Sequence, residues 1–258
     1  MKLIASFWDE AHKVAENRQY VTYTGKIAGV DISSTSTGIG GPGTAIAVEE
    51  LARCGADTFI RVGTCGGYRQ DQRLGDIAIA TAAVRWEGTT RQYVAIEYPA
   101  FGTPEVVMAL IEAAEASGTD YHVGITKSDD ILYSGISFGG YSQTWMRNIE
   151  ADFMRANVIS AEQEASTIFT LASLFKLRAG CICSIIDLAA LPSMKADEEQ
   201  KPRQEISIEE AFQPKPEFIM RCCHCAVEAV KILNKWDEDK RVAGKQNWFP
   251  SLSYLPRT

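Results

Sequence analysis

The 258-residue sequence has little of several features that mark particular classes of protein. It contains no apolar run long enough to cross a bilayer, and residues 1–4 are too short and too soon interrupted for a signal peptide. Basic residues are outnumbered: 26 Lys and Arg against 33 Asp and Glu give a net charge of -7. This balance argues against nucleic acid as the main partner, because binding to a phosphate backbone needs clustered Lys and Arg.

Cysteine is present but shows no disulfide or metal pattern. The seven cysteines are an odd number, scattered through apolar segments, which indicates reduced thiols in a cytoplasmic protein. The run Cys222-Cys-His-Cys225 invites a metal-site interpretation. Positions i, i+1 and i+3 of a helix do not converge on a tetrahedral ion, however, and no second Cys or His pair completes the set. Packing of a buried helix is therefore the favoured interpretation, and no metal is expected.

The order of apolar segments predicts an α/β protein. The 46% hydrophobic content and the length suit one domain with a large core, here residues 1–258. Strands are predicted over 20–24 and 29–36 (a hairpin around Gly25 and Lys26), 58–62, 76–80, 83–86, 121–126 and 179–186. Helices are predicted over 44–54, 104–116, 143–156, 164–175 and 216–235. We expect three α/β/α layers around a mixed, largely parallel central sheet.

Two segments interrupt this alternation. Residues 190–215 are rich in charge and proline, which predicts a flap beside the strand that ends near Asp187. Residues 237–258 are polar and then aromatic at Trp248 and Phe249, which predicts a tail that is either disordered or docked on a neighbour.

The glycine-rich stretch 36–43 and the strand that follows it form the main functional signal. The stretch opens a helix, and a helix N-terminus with free amides attracts anions. Glycine-rich loops alone are weak evidence, because turns use glycine for steric reasons. Here the next strand carries Arg61 and Thr64, and a guanidinium beside free amides predicts a site for a small anion.

These residues resemble the nucleoside phosphorylase family, most of all its uridine phosphorylase branch. The resemblance extends from about Asn17 to the closing helix, through Ser36-Thr-Gly-Ile-Gly-Gly-Pro, Phe59-Ile-Arg-Val-Gly-Thr64, Leu74-Gly-Asp-Ile77, Ala95-Ile-Glu-Tyr-Pro99 and Glu162-Gln-Glu-Ala-Ser166. It implies cleavage of a nucleoside by inorganic phosphate to ribose 1-phosphate and free base. It also implies catalysis by positioning and electrostatics, with phosphate as co-substrate and no metal or organic cofactor.

The resemblance assigns phosphate binding to Arg61, Thr64 and Arg18. Arg61 matches an arginine that binds phosphate through two parallel hydrogen bonds, and Thr64 matches a residue whose hydroxyl donates to phosphate. Arg18 matches an arginine that the family donates from a neighbouring subunit, which implies a homo-oligomer with shared sites. The alternatives are a snorkelling arginine for Arg61 and an ordinary strand-edge arginine for Arg18.

The resemblance places the ribose against Glu162, Gln163 and Glu164, and the base against the backbone at Cys65 and Gly66. Glu164 matches the glutamate that grips the ribose hydroxyls, and Gln163 stands where the family has Met. The base would also border the side chain of Phe138. The alternative for the two acids is that they are charges favoured by a helix N-terminus.

Several departures leave the substrate open. Ile136 and Phe138 replace the Gln-x-Arg pair with which the uridine branch reads uracil, although Gln143 and Arg147 lie a little downstream. Asp187 matches an aspartate with which the purine branch contacts the leaving base, so a purine nucleoside phosphorylase is the alternative enzyme. The other interpretation of Asp187 is a structural residue that caps the flap. A nucleosidase is disfavoured, since it has no need of phosphate-binding arginines.

The beginning of the chain raises a further alternative. Family members carry a strand and a Gly-Asp-Pro-x-Arg phosphate loop upstream of the position of Met1, and the sequence given lacks both. A degenerate, non-catalytic paralogue is therefore the alternative outside enzymes. The leading hypothesis is a cytoplasmic, homo-oligomeric nucleoside phosphorylase in which Arg61, Glu164 and Asp187 are the candidate catalytic residues.

Overall fold

The structure is a computed structural model that describes residues 1–132, 141, 143–188 and 215–247. The α-helices of these residues are α1 (Lys2–Ala5), α2 (Gly41–Arg53), α3 (Pro104–Ser117), α4 (Gln143–Arg155), α5 (Ala165–Leu174) and α6 (Pro216–Val242). The strands are β1 (Glu10–Asn17), β2 (Tyr20–Ile27), β3 (Val30–Thr35), β4 (Thr58–Gly67), β5 (Ile77–Trp86), β6 (Ala100–Phe101), β7 (Tyr121–Asp129), β8 (Val158–Glu162) and β9 (Arg178–Leu188).

A mixed six-stranded sheet forms the centre of the molecule. Its order is β6-β5-β7-β8-β4-β9, and a further pairing of β5 with β9 joins the two sides of the sheet. The long pairings, β4 with β9 and β5 with β7, are parallel, whereas β4 meets β8 in a short antiparallel contact. The predicted α/β class with a mixed, largely parallel sheet is confirmed.

Helices cover both faces of this sheet. On one face Phe169 and Leu171 of α5 pack with Ile185 of β9 in a fully buried cluster. On the other face α3 and α6 pack on each other and on the sheet, with Leu110 and Ile182 buried completely. The central strands are therefore apolar on both sides, which is the reason that their sequences read as continuous hydrophobic runs.

A separate antiparallel sheet, β1-β2-β3, precedes α2. The predicted hairpin exists, but its turn is at Ala28 and Gly29, both with positive φ, and not at Gly25 and Lys26. Gly25 lies inside β2, where a Cβ atom would stand 1.7 Å from the carbonyl oxygen of Glu10. The glycine thus marks a close approach between strands, which the sequence pattern does not distinguish from a turn.

Strand β1 was not predicted, because all eight of its residues are exposed and no apolar alternation reveals it. Helix α1 is short and ends at Ala5, so Trp8 lies outside it. Trp8 instead packs with Ile27 and Val227 in a small core between the β1-β2-β3 sheet and α6.

Several elements extend beyond their predicted ends. Strand β4 continues past residue 62 to Gly67, and β9 includes Asp187, which was expected to follow the strand. The segments 76–80 and 83–86 belong to one strand, β5, with an irregularity between Ala80 and Ala82. Strands β6 and β8 were not predicted.

The predicted flap and tail lie mostly outside the described residues. Residues 189–214 and 248–258 are not described. Helix α6 continues to Val242, so the first residues of the predicted 237–258 tail are helical, which corrects that boundary. None of the helices in the described segments is long and apolar enough to cross a membrane.

The cysteines of α6 are core residues. Cys222 and Cys225 are fully buried against the sheet and α3. His224 lies on another side of the helix, where its ring contacts the ring of Phe7 at a centroid distance of 5.7 Å. All seven cysteines are free thiols, as predicted.

The layered packing generates a stability prediction for α3. Leu110→Ala should reduce the free energy of unfolding by about 2–5 kcal/mol, because Leu110 is 0% exposed and its removal leaves a cavity. Met108→Ala on the same helix, where Met108 is 45% exposed, should cost less than about 0.5 kcal/mol. Urea unfolding at one fixed protein concentration measures both losses, and similar losses in the two variants would contradict the assigned packing.

Candidate functional site

One cavity of about 510 Å³ brings together residues from distant parts of the sequence. Its walls come from β4, β8 and β9, from the end of β7, and from α4 and the glycine-rich loop. The site residues predicted from the sequence that line it are Arg61, Thr64, Cys65, Gly66, Glu162, Gln163, Glu164 and Asp187. This volume is typical of pockets for small organic ligands.

Two predicted residues are not placed in this cavity. Arg18 is exposed in the turn between β1 and β2, with a positive φ of 55°, and does not line the cavity of its own chain. Phe138 lies outside the described residues, as does Ile136. Of the two downstream residues, Arg147 is exposed on α4.

Arg61 forms the centre of the site through two carboxylates. Its Nε donates to Glu162 Oε2 at 2.5 Å, and its Nη2 pairs with Glu164 Oε2 at 2.6 Å. The side chain of Arg61 is only 13% exposed, so it does not snorkel to solvent. Gly63 makes room for it, because a Cβ atom there would stand 2.2 Å from Arg61 Nη1.

Glu162 is the deeper of the two carboxylates. Besides Arg61, it accepts hydrogen bonds from the hydroxyl of Ser128 and from the backbone amides of Glu164 and Ala165. These two amides begin α5, so Glu162 also satisfies the helix N-terminus, as the alternative interpretation of the acids proposed. Burial raises the pKa of Glu162, and the charge of Arg61 opposes that rise.

Glu164 links the glycine-rich loop to the site. It occupies the N-cap position of α5, and its Oε1 accepts a hydrogen bond from the amide of Gly40 at 2.6 Å. Gly40 has a positive φ of 93°, a conformation that favours glycine, and it is the N-cap of α2. The glycine-rich loop therefore opens a helix, as predicted. One of the amides expected to face an anion is therefore bound to a carboxylate.

Strands β4 and β9 bring Asp187 to the other side of the cavity. Thr64, Cys65 and Gly66 lie within β4, not in a turn after it, and Gly66 is paired in register with Asp187. The Cys65 thiol is buried, and a hydrogen bond to Cys183 together with burial raises its pKa. The half-buried Gln163 lies between Glu162 and Glu164 on the cavity wall.

A buried triad on the same wall was not predicted. Lys127, which is 0% exposed, pairs with Asp129 Oδ2 at 2.7 Å and with Glu150 Oε1. Burial raises the pKa of Glu150 to about 7, raises that of Asp129 and lowers that of Lys127. The strand was predicted to end at residue 126, so Lys127 and Asp129 fell outside it. Their alternation on one face of β7 was therefore not recognised.

The described parts of the chain offer no metal centre: none of their groups of His, Cys, Asp or Glu is arranged to hold an ion. The arrangement instead combines a buried cation, two adjacent carboxylates and a hydroxyl with room for an organic ligand. Such a site can bind an anion at Arg61 and Thr64 and can accept hydrogen bonds from hydroxyl groups at Glu164.

Comparison with known proteins agrees with this chemistry. The sequence profile of the Phosphorylase superfamily matches residues 1–213. A uridine phosphorylase of Thermococcus kodakarensis is 47% identical over 253 residues, which are 96% of this chain and 84% of the relative. A guanosine phosphorylase of Halorubrum lacusprofundi is 41% identical over 70% of this chain and 71% of its own length. A uridine phosphorylase of Escherichia coli is 36% identical over 71% of this chain and 74% of its own length.

The hydrogen bonds predict different roles for the two carboxylates. Glu162→Ala should reduce the free energy of unfolding by about 3–5 kcal/mol, because it breaks a buried ion pair and leaves the amides of α5 without an acceptor. Glu164→Ala should cost less, since it removes fewer hydrogen bonds and relieves repulsion between two neighbouring carboxylates. Denaturant unfolding measures the difference, and an equal or larger loss for Glu164→Ala would refute this division of roles.

Proposed function

Since this chain belongs to the phosphorylase superfamily, we propose that it cleaves uridine with inorganic phosphate to uracil and ribose 1-phosphate. The proposal rests on one observation above all: Arg61 and Glu164, the expected phosphate and ribose ligands, meet at 2.6 Å in a cavity of nucleoside size. The uridine phosphorylase from Thermococcus, similar over nearly the whole chain, supports uridine as the nucleoside.

The reaction is a displacement at C1′ of the ribose. The N-glycosidic bond breaks as its electron pair moves into the base, positive charge develops on the ribose ring, and a phosphate oxygen forms the new bond to C1′. Arg61 and Thr64 hold the phosphate, with a guanidinium and a hydroxyl matched to its oxygens. Glu164 accepts hydrogen bonds from the ribose hydroxyls and thereby fixes C1′ against the phosphate.

The remaining site residues complete these subsites. Glu162 keeps Arg61 in place through the 2.5 Å hydrogen bond to Nε, and so acts as a positioning residue. Gln163 lines the ribose end of the cavity, and the backbone at Cys65 and Gly66 borders the base. No cofactor is proposed for this reaction, because phosphate is the only co-substrate and Arg61 already supplies a cation for it.

Guanosine is the second candidate nucleoside. Asp187 lines the cavity and is paired in register with Gly66, at the end assigned to the base. A carboxyl group there can share a proton with N7 of a departing purine and so stabilise its negative charge. The similarity to a guanosine phosphorylase supports this alternative, whereas nothing at Asp187 is required for uracil.

We place the enzyme in the cytoplasm, as the free thiols of all seven cysteines favour. The proposed assembly is a homo-oligomer in which Arg18 of one subunit reaches the phosphate of its neighbour. The exposure of Arg18 at a tight turn, outside the cavity of its own chain, supports this role.

Phosphate-dependent release of free base, followed by chromatography, tests the function. The panel is uridine, thymidine, inosine, guanosine and adenosine, each with and without phosphate. Uracil release that requires phosphate is expected. Guanine release without uracil release would indicate a purine nucleoside as substrate and a role for Asp187 at the departing base. No turnover by folded protein would favour the non-catalytic paralogue, and turnover without phosphate would indicate a nucleosidase.

Removal of the phosphate ligand should abolish most of the activity. Arg61→Ala is expected to lower kcat/KM for uridine by about 10²–10³, because phosphate loses its charge-assisted fork. Arg53→Ala is the matched control, since its side chain is 78% exposed at the end of α2. Steady-state kinetics with varied phosphate, on variants whose circular dichroism matches the parent, measure the loss. Unchanged kinetics of Arg61→Ala would refute the phosphate assignment.

Shared sites predict complementation between inactive subunits. Arg18→Ala and Glu164→Ala chains should each be inactive as homo-oligomers, because each lacks one ligand in every site. Mixed oligomers should regain part of the activity, since some of their sites carry both residues intact. Activity is measured after dissociation and reassociation of the mixture. If mass spectrometry shows mixed oligomers that remain inactive, the two residues do not meet across subunits.

A further inference from the structure

The side chain of Glu150 has an unused hydrogen-bonding atom beside the cavity. Glu150 lies on α4, is 4% exposed and lines the cavity together with Asp129. Its Oε1 pairs with Lys127, but its Oε2 is buried and has no hydrogen-bond partner in the described structure. A buried oxygen without a partner is costly and rare, so it needs an explanation in terms of structure or ligand.

The ion pair with Lys127 does not explain this oxygen. Lys127 already has a carboxylate partner, Asp129, at 2.7 Å. Adding Glu150 gives the buried triad two carboxylates for one ammonium group, and a buried excess of negative charge is unfavourable. Stability alone would favour an amide or an apolar residue at position 150.

The strand register locates the triad at the wall of the cavity. In the pairing of β7 with β8, Lys127 is opposite Ala161 and Ser128 is opposite Glu162. Ser128 and Glu162 share one face and are joined by a hydrogen bond. Lys127 and Asp129 point to the other face of β7, and Asp129 lines the cavity, as do Ala161 and Gln163. Neighbouring strands lie about 4.8 Å apart, so the triad borders the ligand space.

We propose that Glu150 determines base specificity by accepting, through Oε2, a hydrogen bond from the ring N–H of the base, which is N3–H in uracil. The proposal deepens the proposed function and depends on it for the presence of a nucleoside in the cavity. The same N–H group occurs in thymine, hypoxanthine and guanine. Cytosine and adenine carry an acceptor nitrogen at the corresponding place, which a carboxylate oxygen repels.

This role also suits the residues that the resemblance assigns to base recognition. Ile136 and Phe138, which stand where the resemblance places an amide and a guanidinium, have no polar side-chain atom to offer. Glu150 provides a polar group from a different element, helix α4. A site that hydrogen-bonds a substrate N–H rejects analogues that lack it, because its own buried group is then unpaired.

Lys127 makes the proposal sharply testable through Glu150→Gln. Lys127 can only donate hydrogen bonds, so it should hold the amide oxygen of the new side chain and turn the NH₂ group toward the base. The acceptor that faces the base thereby becomes a donor. A donor repels N3–H of uracil but complements N3 of cytosine, so the preference between uridine and cytidine should shift.

The test compares kcat/KM for uridine and cytidine at about pH 8.5, above the pKa of about 7 to which burial raises Glu150. Glu150→Gln is expected to lower the uridine-to-cytidine ratio by about 10² or more. Asp152→Asn on the same helix is the matched control, because it also removes one negative charge, at an exposed position. A folded Glu150→Gln protein with an unchanged ratio would overturn the proposal, since a merely structural role lowers both rates together.

A measurement on the unaltered chain covers the case in which the variant does not fold. Calorimetric titration with uridine and with N3-methyluridine, without phosphate so that no turnover occurs, compares the N3–H group with an N-methyl group at the same position. Binding of N3-methyluridine should be at least about tenfold weaker. Equal binding of the two nucleosides would overturn the role of Glu150.

The two experiments also separate this proposal from the proposed function. Uridine binding with discrimination against N3-methyluridine, but without release of uracil, would refute phosphorolysis and support Glu150. Release of uracil without discrimination against N3-methyluridine would support phosphorolysis and refute the role of Glu150. Failure of the unaltered protein to bind uridine would overturn both.

Discussion

The site depends on the sharing of one buried guanidinium by two carboxylates. Arg61 comes from the middle of β4, Glu162 ends β8, and Glu164 caps α5. Each charge is nearly removed from water, so none of the three would be stable there without the others. The backbone amides of Gly40, Glu164 and Ala165 complete the hydrogen bonding of the carboxylates. The cluster therefore fixes the positions of two strands, two helix starts and the glycine-rich loop at once.

The topology of the sheet brings the residues of this cluster and of the cavity together. Strand β4 pairs along its full length with β9, which brings Asp187 opposite Gly66. At the same end β4 meets β8 over only Gly66 and Gly67, in a short antiparallel contact. The cavity opens where these strands diverge. Arg61 and Glu162 stand on strands within a packed core, so the fold itself places their charges at the cavity.

Patterns in the sequence predicted the features that rest on local or apolar signals. The buried strands β4, β7 and β9 and the helices α2, α3 and α5 have such signals, and Arg61, Thr64 and Glu164 stand in recognisable motifs. Strand β1 has no apolar pattern, because it is exposed throughout. Lys127 and Glu150 are separated by 23 residues in the sequence. Taken singly, each has the character of an ordinary charged surface residue. Only the pairing of β7 with β8 and the packing of α4 show that they meet inside the protein.

If Arg61 binds phosphate and Glu164 binds the ribose, as proposed, the bond between these two side chains makes the two subsites thermodynamically dependent on each other. In the free protein each group is the other's counter-ion, at 2.6 Å. A phosphate that draws the guanidinium toward itself weakens this bond and releases carboxylate oxygens for the ribose. A ribose that occupies those oxygens in turn leaves the guanidinium readier for phosphate, since coupling between two binding equilibria is reciprocal. Under the proposed function, each substrate therefore raises the affinity for the other through the exchange of a single internal ion pair.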